Sequence, residues 1–361
     1  MSSKSVQLVI RGVVTTASLA HQTSPSEPGA QIKTNVMSKN GLVRGVPYIT
    51  ANSVRGLIRR AAADVLLERL AASKSRIHRS LYLSIVRGAY ARTGVQAGGA
   101  TIEQMLAAAD HVFGGLFGGG GFMHHSAFDL KSDLLPVALG TKDFMPSDVQ
   151  IHAIEEDPSK LLTMAVLAPR DDFATLPPMA REVVENLHAS YSDHMQTKLG
   201  QAMASKAAKD AQQEKLSKDD LNNFAMTECI IPGVPLYFNI TSGIITEAQA
   251  GLLLQGVQRW ANRNALGGGS ARGRGAFVPS LALVLDGQRI TETLLVGDAP
   301  SLALAEDARI KELIDACDAA LDQQATPEKL GMVYPIEVGK ALAKSKKAAK
   351  AGDPDADAKV A

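Results

Sequence analysis

Three consecutive segments constrain the fold of this chain more than any other feature. Residues 246–264 place apolar side chains at the spacing of one helix face, and the strand pattern AFVPSLALVL covers 276–285. The loop that joins them lies within GGGSARGRGAF at 267–277, and five of its first nine residues are glycine. A flexible linker would separate two folded units, whereas this loop lies inside one. Because glycine loses more conformational freedom on folding than any other residue, the cluster indicates a backbone that something approaches closely.

The same loop carries two arginines, which points to an anion. Adjacent backbone N–H groups in such a turn form an anion-binding concavity, and the guanidinium groups of Arg272 and Arg274 are bidentate donors suited to phosphate. The alternative is a tight turn between helix and strand whose arginines face water. The chain has neither G-x-x-x-x-G-K-[ST] nor G-x-G-x-x-G, so nothing supports nucleoside triphosphate chemistry.

The charge of the chain is segregated along the sequence. The net charge is +1, but residues 28–101 contain twelve Lys or Arg and two acids, whereas residues 286–330 contain ten acids and four bases. Segregation of this kind suggests that one face binds a polyanion. The competing interpretation is that these charges are only the solvated faces of helices.

A second basic segment begins a predicted helix. Asn52 or Ser53 is a suitable N-cap, and Arg55, Arg59 and Arg60 occupy the first turns. Cations at a helix start oppose the helix dipole, so their presence makes sense if an anion docks there. Alternatively, Arg59 and Arg60 extend along the exposed face of the helix with their charges in water.

Composition and the remaining patterns predict the size of the core, the compartment and the other secondary-structure elements. The chain has 361 residues, 45% of them hydrophobic, which is enough for a sizeable core. Its two cysteines fit no metal or redox spacing, and no apolar run approaches the length of a membrane span, so we expect a soluble, cytoplasmic protein. The remaining segments are predicted as a strand at 5–16, a long loop at 21–47, two helices within 76–113, extended segments at 122–130 and 134–140, a polar insertion at 146–227 and a strand at 228–242.

Three motifs carry a resemblance to a known family. The stretch GVPYITANSVRGLIRR at 45–60 resembles the P-Y-I-P-G-S-S-L-R-G-x-L-R pattern of the RAMP superfamily of CRISPR proteins, from which Thr50, Ala51 and Asn52 depart. GLFGGGG at 115–121 is similar to the leucine-phenylalanine-glycine segment of the family, and 267–277 is similar to its C-terminal glycine-rich loop.

The resemblance implies an α+β fold with an RRM-like, ferredoxin-like palm whose antiparallel sheet is extended by a helical finger and a thumb. The segments expected on this basis are palm residues 1–60, 113–145 and 228–300, a finger at 61–112, a thumb at 146–227, a C-terminal helical region at 301–345 and a disordered tail at 346–361.

The same resemblance implies the function. The chain is most similar to the backbone subunit, of the type IV kind, that polymerises along the guide RNA of a multi-subunit CRISPR effector. Its expected partners are guide RNA (crRNA), the complementary target strand, further copies of itself and other effector subunits, with no membrane, metal or cofactor. The residues expected to bind RNA are Lys33, Arg44, Asn52, Ser53, Arg55, Arg59, Gly268, Gly269, Arg272, Gly273 and Arg274.

An enzymatic alternative remains open at this point. His124 and His125 are candidates for metal-independent RNA cleavage of the kind seen in guide-processing RAMP nucleases, but adjacent histidines in a strand point to opposite faces. Type III relatives cut target RNA with an aspartate at about the position of Asn35, which cannot act as a base. No acid occurs between Glu27 and Asp64, and the alternative is an acid that comes from elsewhere in space, for which Asp129 is a candidate. We therefore predict that the chain is not an enzyme.

Overall fold

The computed structural model describes residues 4–26, 29–38, 41–77, 79–87, 102–118, 125–144, 146, 153–167, 225–268 and 273–334. The described strands are β1 (Ser5–Thr16), β2 (Lys33–Ser38), β3 (Gly41–Pro47), β4 (Phe128–Leu130), β5 (Leu162–Leu167), β6 (Ala225–Ile230), β7 (Pro235–Thr246), β8 (Phe277–Leu285), β9 (Gln288–Thr291), β10 (Leu295–Val296) and β11 (Ala303–Leu304). The described α-helices are α1 (Ala51–Ala72), α2 (Arg79–Arg87), α3 (Ile102–Asp110), α4 (Val112–Phe117), α5 (Glu247–Arg263), α6 (Ala308–Gln324) and α7 (Pro327–Val333).

The centre of the fold is a five-stranded antiparallel sheet with the order β4-β7-β1-β8-β9. In the middle of the sheet, Ile10 of β1 lies opposite Ile240 of β7 and Leu283 of β8. The chain visits the core in the order β1-α1-β4-β7-α5-β8, which is the β-α-β-β-α-β connection of ferredoxin-like folds. The predicted α+β class with an antiparallel sheet is therefore confirmed.

Alternating burial along β1 explains how the sheet and the helices pack. Every second residue of β1 from Val6 to Thr16 is buried, so one face of the strand belongs to the core. Helices α1 and α5 pack against each other and against the sheet. Trp260 of α5 stacks on Phe238 and Phe277, with ring centroids 5.4 and 4.7 Å apart, and is fully buried in the core.

Several sequence predictions are corrected by the structure. The predicted loop at 21–47 contains the β2–β3 hairpin, in which Lys33 lies opposite Pro47. Helix α1 begins at Ala51 with Thr50 as its N-cap, so neither Asn52 nor Ser53 caps it. The helix continues to Ala72, so residue 61, where the predicted finger begins, lies within α1, and the division into palm and finger stays a prediction.

Contacts divide the chain into two units, one of residues 1–163 and 228–361 and the other of residues 164–227. The structure describes only 164–167 and 225–227 of the second unit, which belong to the paired strands β5 and β6. The thumb at 146–227 therefore stays a prediction, and the tail at 346–361 lies outside the described residues. Within the described part of the chain, none of the helices combines the length and apolar character that crossing a membrane requires.

Candidate nucleic-acid interface

Two of the motifs that are far apart in sequence are neighbours in the structure. A Cβ atom built on Gly267, in the glycine-rich loop, would lie 3.4 Å from Cδ1 of Ile49, two residues before α1. The backbone of the same loop also contacts the segment after β1, because the N–H of Gly268 donates to the carbonyl of His21 at 2.7 Å. The fold thus brings the glycine-rich loop to the start of α1.

Gln22 makes the second half of this junction. Its side-chain amide donates to Oγ1 of Thr50 at 2.7 Å, and its Oε1 accepts from the N–H of Thr50 at 2.8 Å. His21 and Gln22 are adjacent in sequence, so one short segment holds the glycine-rich loop on one side and the N-cap of α1 on the other. We call the residues on both sides of this segment the motif interface: Asn52, Ser53, Arg55, Gly268, Gly273 and Arg274.

The start of α1 already has an anionic partner within the chain. The carboxylate of Asp133 accepts the N–H of Ala51 at 2.7 Å, and Oγ1 of Thr50 accepts the N–H of Ser53 at 3.3 Å. The basic residues here therefore do not require an external anion at the helix end, contrary to the prediction, since Asp133 occupies that role. Asn52 and Arg55 are exposed beside it, and Ser53 is half-buried, so their side chains define what this end of α1 offers a ligand.

Arg59 does not belong to the interface, contrary to the prediction from its motif position. Its side chain lies in the core with 7% of the residue exposed. Its guanidinium donates to the carbonyls of Ile85, Phe117 and Gly118 at 2.6, 2.9 and 3.1 Å, respectively. Burial lowers the pKa of Arg59, an effect that the neighbouring Tyr334 opposes. Arg59 is therefore a structural residue and not a phosphate ligand.

Lys33 and Arg274 contact adjacent residues of β6: Lys33 contacts Glu228, and Arg274 contacts Cys229. The ammonium group of Lys33 is 2.8 Å from Oε1 of Glu228, and Arg274 donates to Sγ of Cys229 at 3.5 Å. The carbonyl of Glu228 lies 2.7 Å from Nδ1 of His21, so the cluster is tied to the junction segment. Burial and the nearby Arg274 charge lower the pKa of His21, while its hydrogen bond to Glu228 opposes them. The positive charge of Lys33 is therefore partly neutralised by Glu228, and the positive charge of Arg274 is half-buried.

The described glycines of the loop differ in how much space surrounds the position of a Cβ atom. Gly267 and Gly275 have φ values of 72° and 79°, and a Cβ atom on either would overlap a backbone carbonyl, of His21 and Leu266 respectively. By contrast, a Cβ on Gly268 would come no closer than 3.6 Å to the described residues around it, and one on Gly273 would meet none of them within 4 Å, although the φ of 71° at Gly273 also favours glycine. Gly268 and Gly273 therefore leave open space at the junction. Gly269 and Arg272 lie outside the described residues.

The remaining predicted residues lie elsewhere or serve the fold. Arg44 is exposed on β3 and lines a different hollow with Leu139 and Asp157, to which none of the described residues of the motif interface contributes. Oδ1 of Asn35 accepts the N–H of Gly45 at 3.2 Å and so supports the β2–β3 hairpin. His125 is exposed, and His124 lies outside the described residues.

Sequence reasoning missed three residues that organise this region: His21, Gln22 and Asp133. The first two lie in the segment that was predicted to be a loop, and no periodic pattern distinguishes them. Over the described ranges, no group of three or more His, Cys, Asp or Glu side chains is placed to hold a metal ion. The chemistry that the described interface offers is hydrogen bonding and positive charge.

Comparison with known proteins identifies no family. No protein-family model matches the chain, and no curated protein matches it. Among solved structures, a chain of one titled "Type IV-B CRISPR Complex" aligns with 82% of this chain and 94% of its own length, at 15% sequence identity and a TM-score of 0.43. A likeness at this level carries no information about binding, for which the residues of the interface are the only guide.

Proposed function

We propose that this chain binds guide RNA and polymerises along it as the non-catalytic backbone subunit of a CRISPR ribonucleoprotein effector of the type IV kind. The observation that carries the proposal is the junction between the P-Y-I motif segment and the glycine-rich loop, made through Ile49, Gly267 and the His21–Gln22 segment. The order of the three motifs and the ferredoxin-like connection support it. Further copies of the chain, the complementary strand and other effector subunits are the partners that this role requires.

The side chains at the junction suit a ligand that is recognised by its backbone. Arg55 and Arg274 supply positive charge and bidentate donors from two segments distant in sequence, and the exposed Gly268 has no side chain to keep a ligand away from its backbone. Phosphate contacts of this kind are independent of base sequence. A subunit that must bind any guide at regular intervals requires this property.

The first prediction tests the interface directly. Changing both Arg55 and Arg274 to Ala is expected to weaken binding to unrelated RNA sequences equally, because phosphates and not bases are contacted. Hydrogen bonds to charged groups are worth about 1.5–3 kcal/mol each, so the affinity should fall at least about tenfold. The slope of log K against log salt should become shallower by about 0.7 for each phosphate of a single strand that the variant no longer neutralises. Fluorescence anisotropy at several salt concentrations measures both quantities.

Arg289→Ala is the matched control for this double variant. Arg289 lies on β9 opposite Val284, which pairs with Val9, whereas Arg274 lies near the Thr16 end of β1. The seven residue steps from Val9 to Thr16 correspond to about 23 Å along the strand. Arg289→Ala should therefore leave RNA affinity unchanged. If the double variant and the control have the same affinity and the same salt slope, the motif interface does not bind RNA.

The second prediction separates a backbone subunit from a nuclease. The chain assembled on guide RNA is expected to leave a complementary RNA target intact in the presence of Mg²⁺ or Mn²⁺, because Asn35 stands where an acid would be needed. Asn35→Asp retains an acceptor for the N–H of Gly45, so it introduces a carboxylate without removing a hairpin contact. Regularly spaced cuts that begin only in Asn35→Asp would support the proposal. Cuts by the unchanged chain that disappear with Asp129→Ala would contradict it.

A further inference from the structure

A hollow beside the motif interface combines groups that suit a nucleotide. Its volume is about 320 Å³, at the lower end of the range for small-molecule sites. It is lined by residues of the first two turns of α1 and by β4 and the residue after it: Ala51, Asn52, Arg55, Asp129, Leu130 and Lys131. Only Asn52 and Arg55 belong to the motif interface, so the β4 side of the hollow extends the site to residues that no motif indicated.

The cations of the hollow come from two different elements. Arg55 projects from α1, and Lys131 follows β4 with 52% of its side chain exposed. The N–H of Ala51 is already taken by Asp133, so an anion in the hollow would be held by side chains and not by the helix end. Two cations from different elements that line one hollow are suited to hold one phosphate group.

Asp129 adds a hydrogen-bond acceptor to the two cations of the hollow. Its carboxylate is 62% exposed and lies 3.8 Å from the ammonium group of Lys131. An ionised carboxylate only accepts hydrogen bonds, and it would repel a second phosphate. The ligand group that it suits is therefore a hydroxyl donor close to a phosphate, which is the arrangement in a ribonucleotide.

Rival ligands fit this set of groups less well. A divalent cation at Asp129 would meet Arg55 and Lys131 in the same hollow, and the like charges oppose it. A DNA strand offers the phosphate but lacks the 2′-hydroxyl, so Asp129 would gain no partner from it and would only repel the backbone.

We propose that this hollow binds one ribonucleotide of the RNA strand, with Arg55 and Lys131 on the phosphate and Asp129 accepting a hydrogen bond from the ribose 2′-hydroxyl. Asp129 then makes this surface favour RNA over DNA. The inference rests on the proposed function, because it assigns the sugar selectivity of the same RNA-binding surface.

The test compares one RNA and one DNA oligonucleotide of the same sequence, each bound to the unchanged chain and to three variants. The unchanged chain should bind the RNA more tightly. Asp129→Ala should lower the RNA-to-DNA affinity ratio about tenfold, the effect of one charge-assisted hydrogen bond, and should leave DNA binding equal or stronger. Asp129→Asn retains an acceptor oxygen without the charge, and because a neutral hydrogen bond is about half as strong, the ratio should fall only about threefold. Asp298→Ala, which removes an exposed acid elsewhere, should leave the ratio unchanged.

The possible failures are distinguishable. If the unchanged chain binds neither oligonucleotide, the proposed function fails and this inference fails with it. If it binds RNA but the ratio is the same in Asp129→Ala as in the unchanged chain, only the ribose assignment is overturned. A ratio that falls equally in Asp298→Ala also overturns it, because net charge and not the ribose contact would then be responsible. Thermal unfolding of each variant verifies that all four proteins are folded.

Discussion

Arg59→Met is expected to lower the free energy of unfolding by about 3–5 kcal/mol, because several buried acceptors lose their donor at about 1–3 kcal/mol each. In addition to its three shortest bonds to backbone carbonyls, the guanidinium of Arg59 donates to the carbonyl of Ser84 at 3.4 Å and to the hydroxyl of Tyr334 at 3.0 Å. It also lies over the rings of Phe113 and Phe117, at 5.3 and 5.8 Å. Methionine fills part of the volume but leaves these buried oxygens without their donor. Urea unfolding followed by circular dichroism measures the loss.

The neighbouring arginine provides a matched control for this substitution. Arg60 is exposed and donates only to the carbonyl of Gly56 among the hydrogen bonds described for it, so Arg60→Ala should change stability by no more than about 0.5 kcal/mol. Arg59→Lys keeps the charge but cannot reach acceptors on α2, α4 and Tyr334 at once, and it should recover only a minor part of the loss. An Arg59→Met protein of unchanged stability that has lost RNA affinity would restore the motif-based assignment of Arg59 as an RNA ligand.

The contrast between Arg55 and Arg59 shows what a local pattern leaves undetermined. Four residues apart, they lie on the same side of α1, and the sequence treats them alike. Arg55 is exposed near the helix start, whereas Arg59 is covered by α2, α4 and Tyr334, which come from other parts of the chain. Burial by long-range partners decides between a ligand and a structural role, and no pattern within the motif contains that information.

The elements predicted well are those whose hydrophobic period is long and uninterrupted. The strand at 5–16 alternates over twelve residues, and the helix at 246–264 repeats one apolar face over about five turns, so both were predicted almost to the residue. The β2–β3 hairpin was missed because its strands are short with only three of thirteen residues buried, and because Gly41, Gly45 and Pro47 are typical of a loop.

The candidate site was likewise predictable only in part from the sequence. Residue type and spacing were enough to single out the glycine-rich loop and the basic start of α1 as candidates. The hydrogen bonds that join them were not predictable, because Gln22 is an ordinary polar residue until the fold places it beside Thr50. The same holds for Asp133, whose carboxylate reaches the first N–H of α1 across 82 residues of sequence.

A large acid sensitivity is expected from His111, the N-cap of α4. Its Nδ1 accepts the N–H groups of Phe113 and Gly114, both at 3.2 Å, and its Nε2 faces the carbonyl of Gln324 at 3.3 Å. The ring must therefore be neutral in the folded protein. Burial lowers the pKa of His111 from 6.5 to about 4, the hydrogen bond to Gln324 opposes this shift, and the charge of Lys329 adds to it.

The sign of the effect follows from proton binding. Between pH 6.5 and 4 the unfolded chain binds a proton at His111 and the folded chain does not, so stability falls as the pH falls through this window and levels off below it. The shift corresponds to about 3 kcal/mol. Asparagine also caps a helix start but does not titrate in this range. Urea unfolding of the unchanged chain and of His111→Asn at intervals from about pH 7.5 to 4 should therefore show the unchanged chain losing about 3 kcal/mol of stability relative to the variant as the pH falls. Parallel curves would mean that the ring is not held neutral, and that α4 is capped without it.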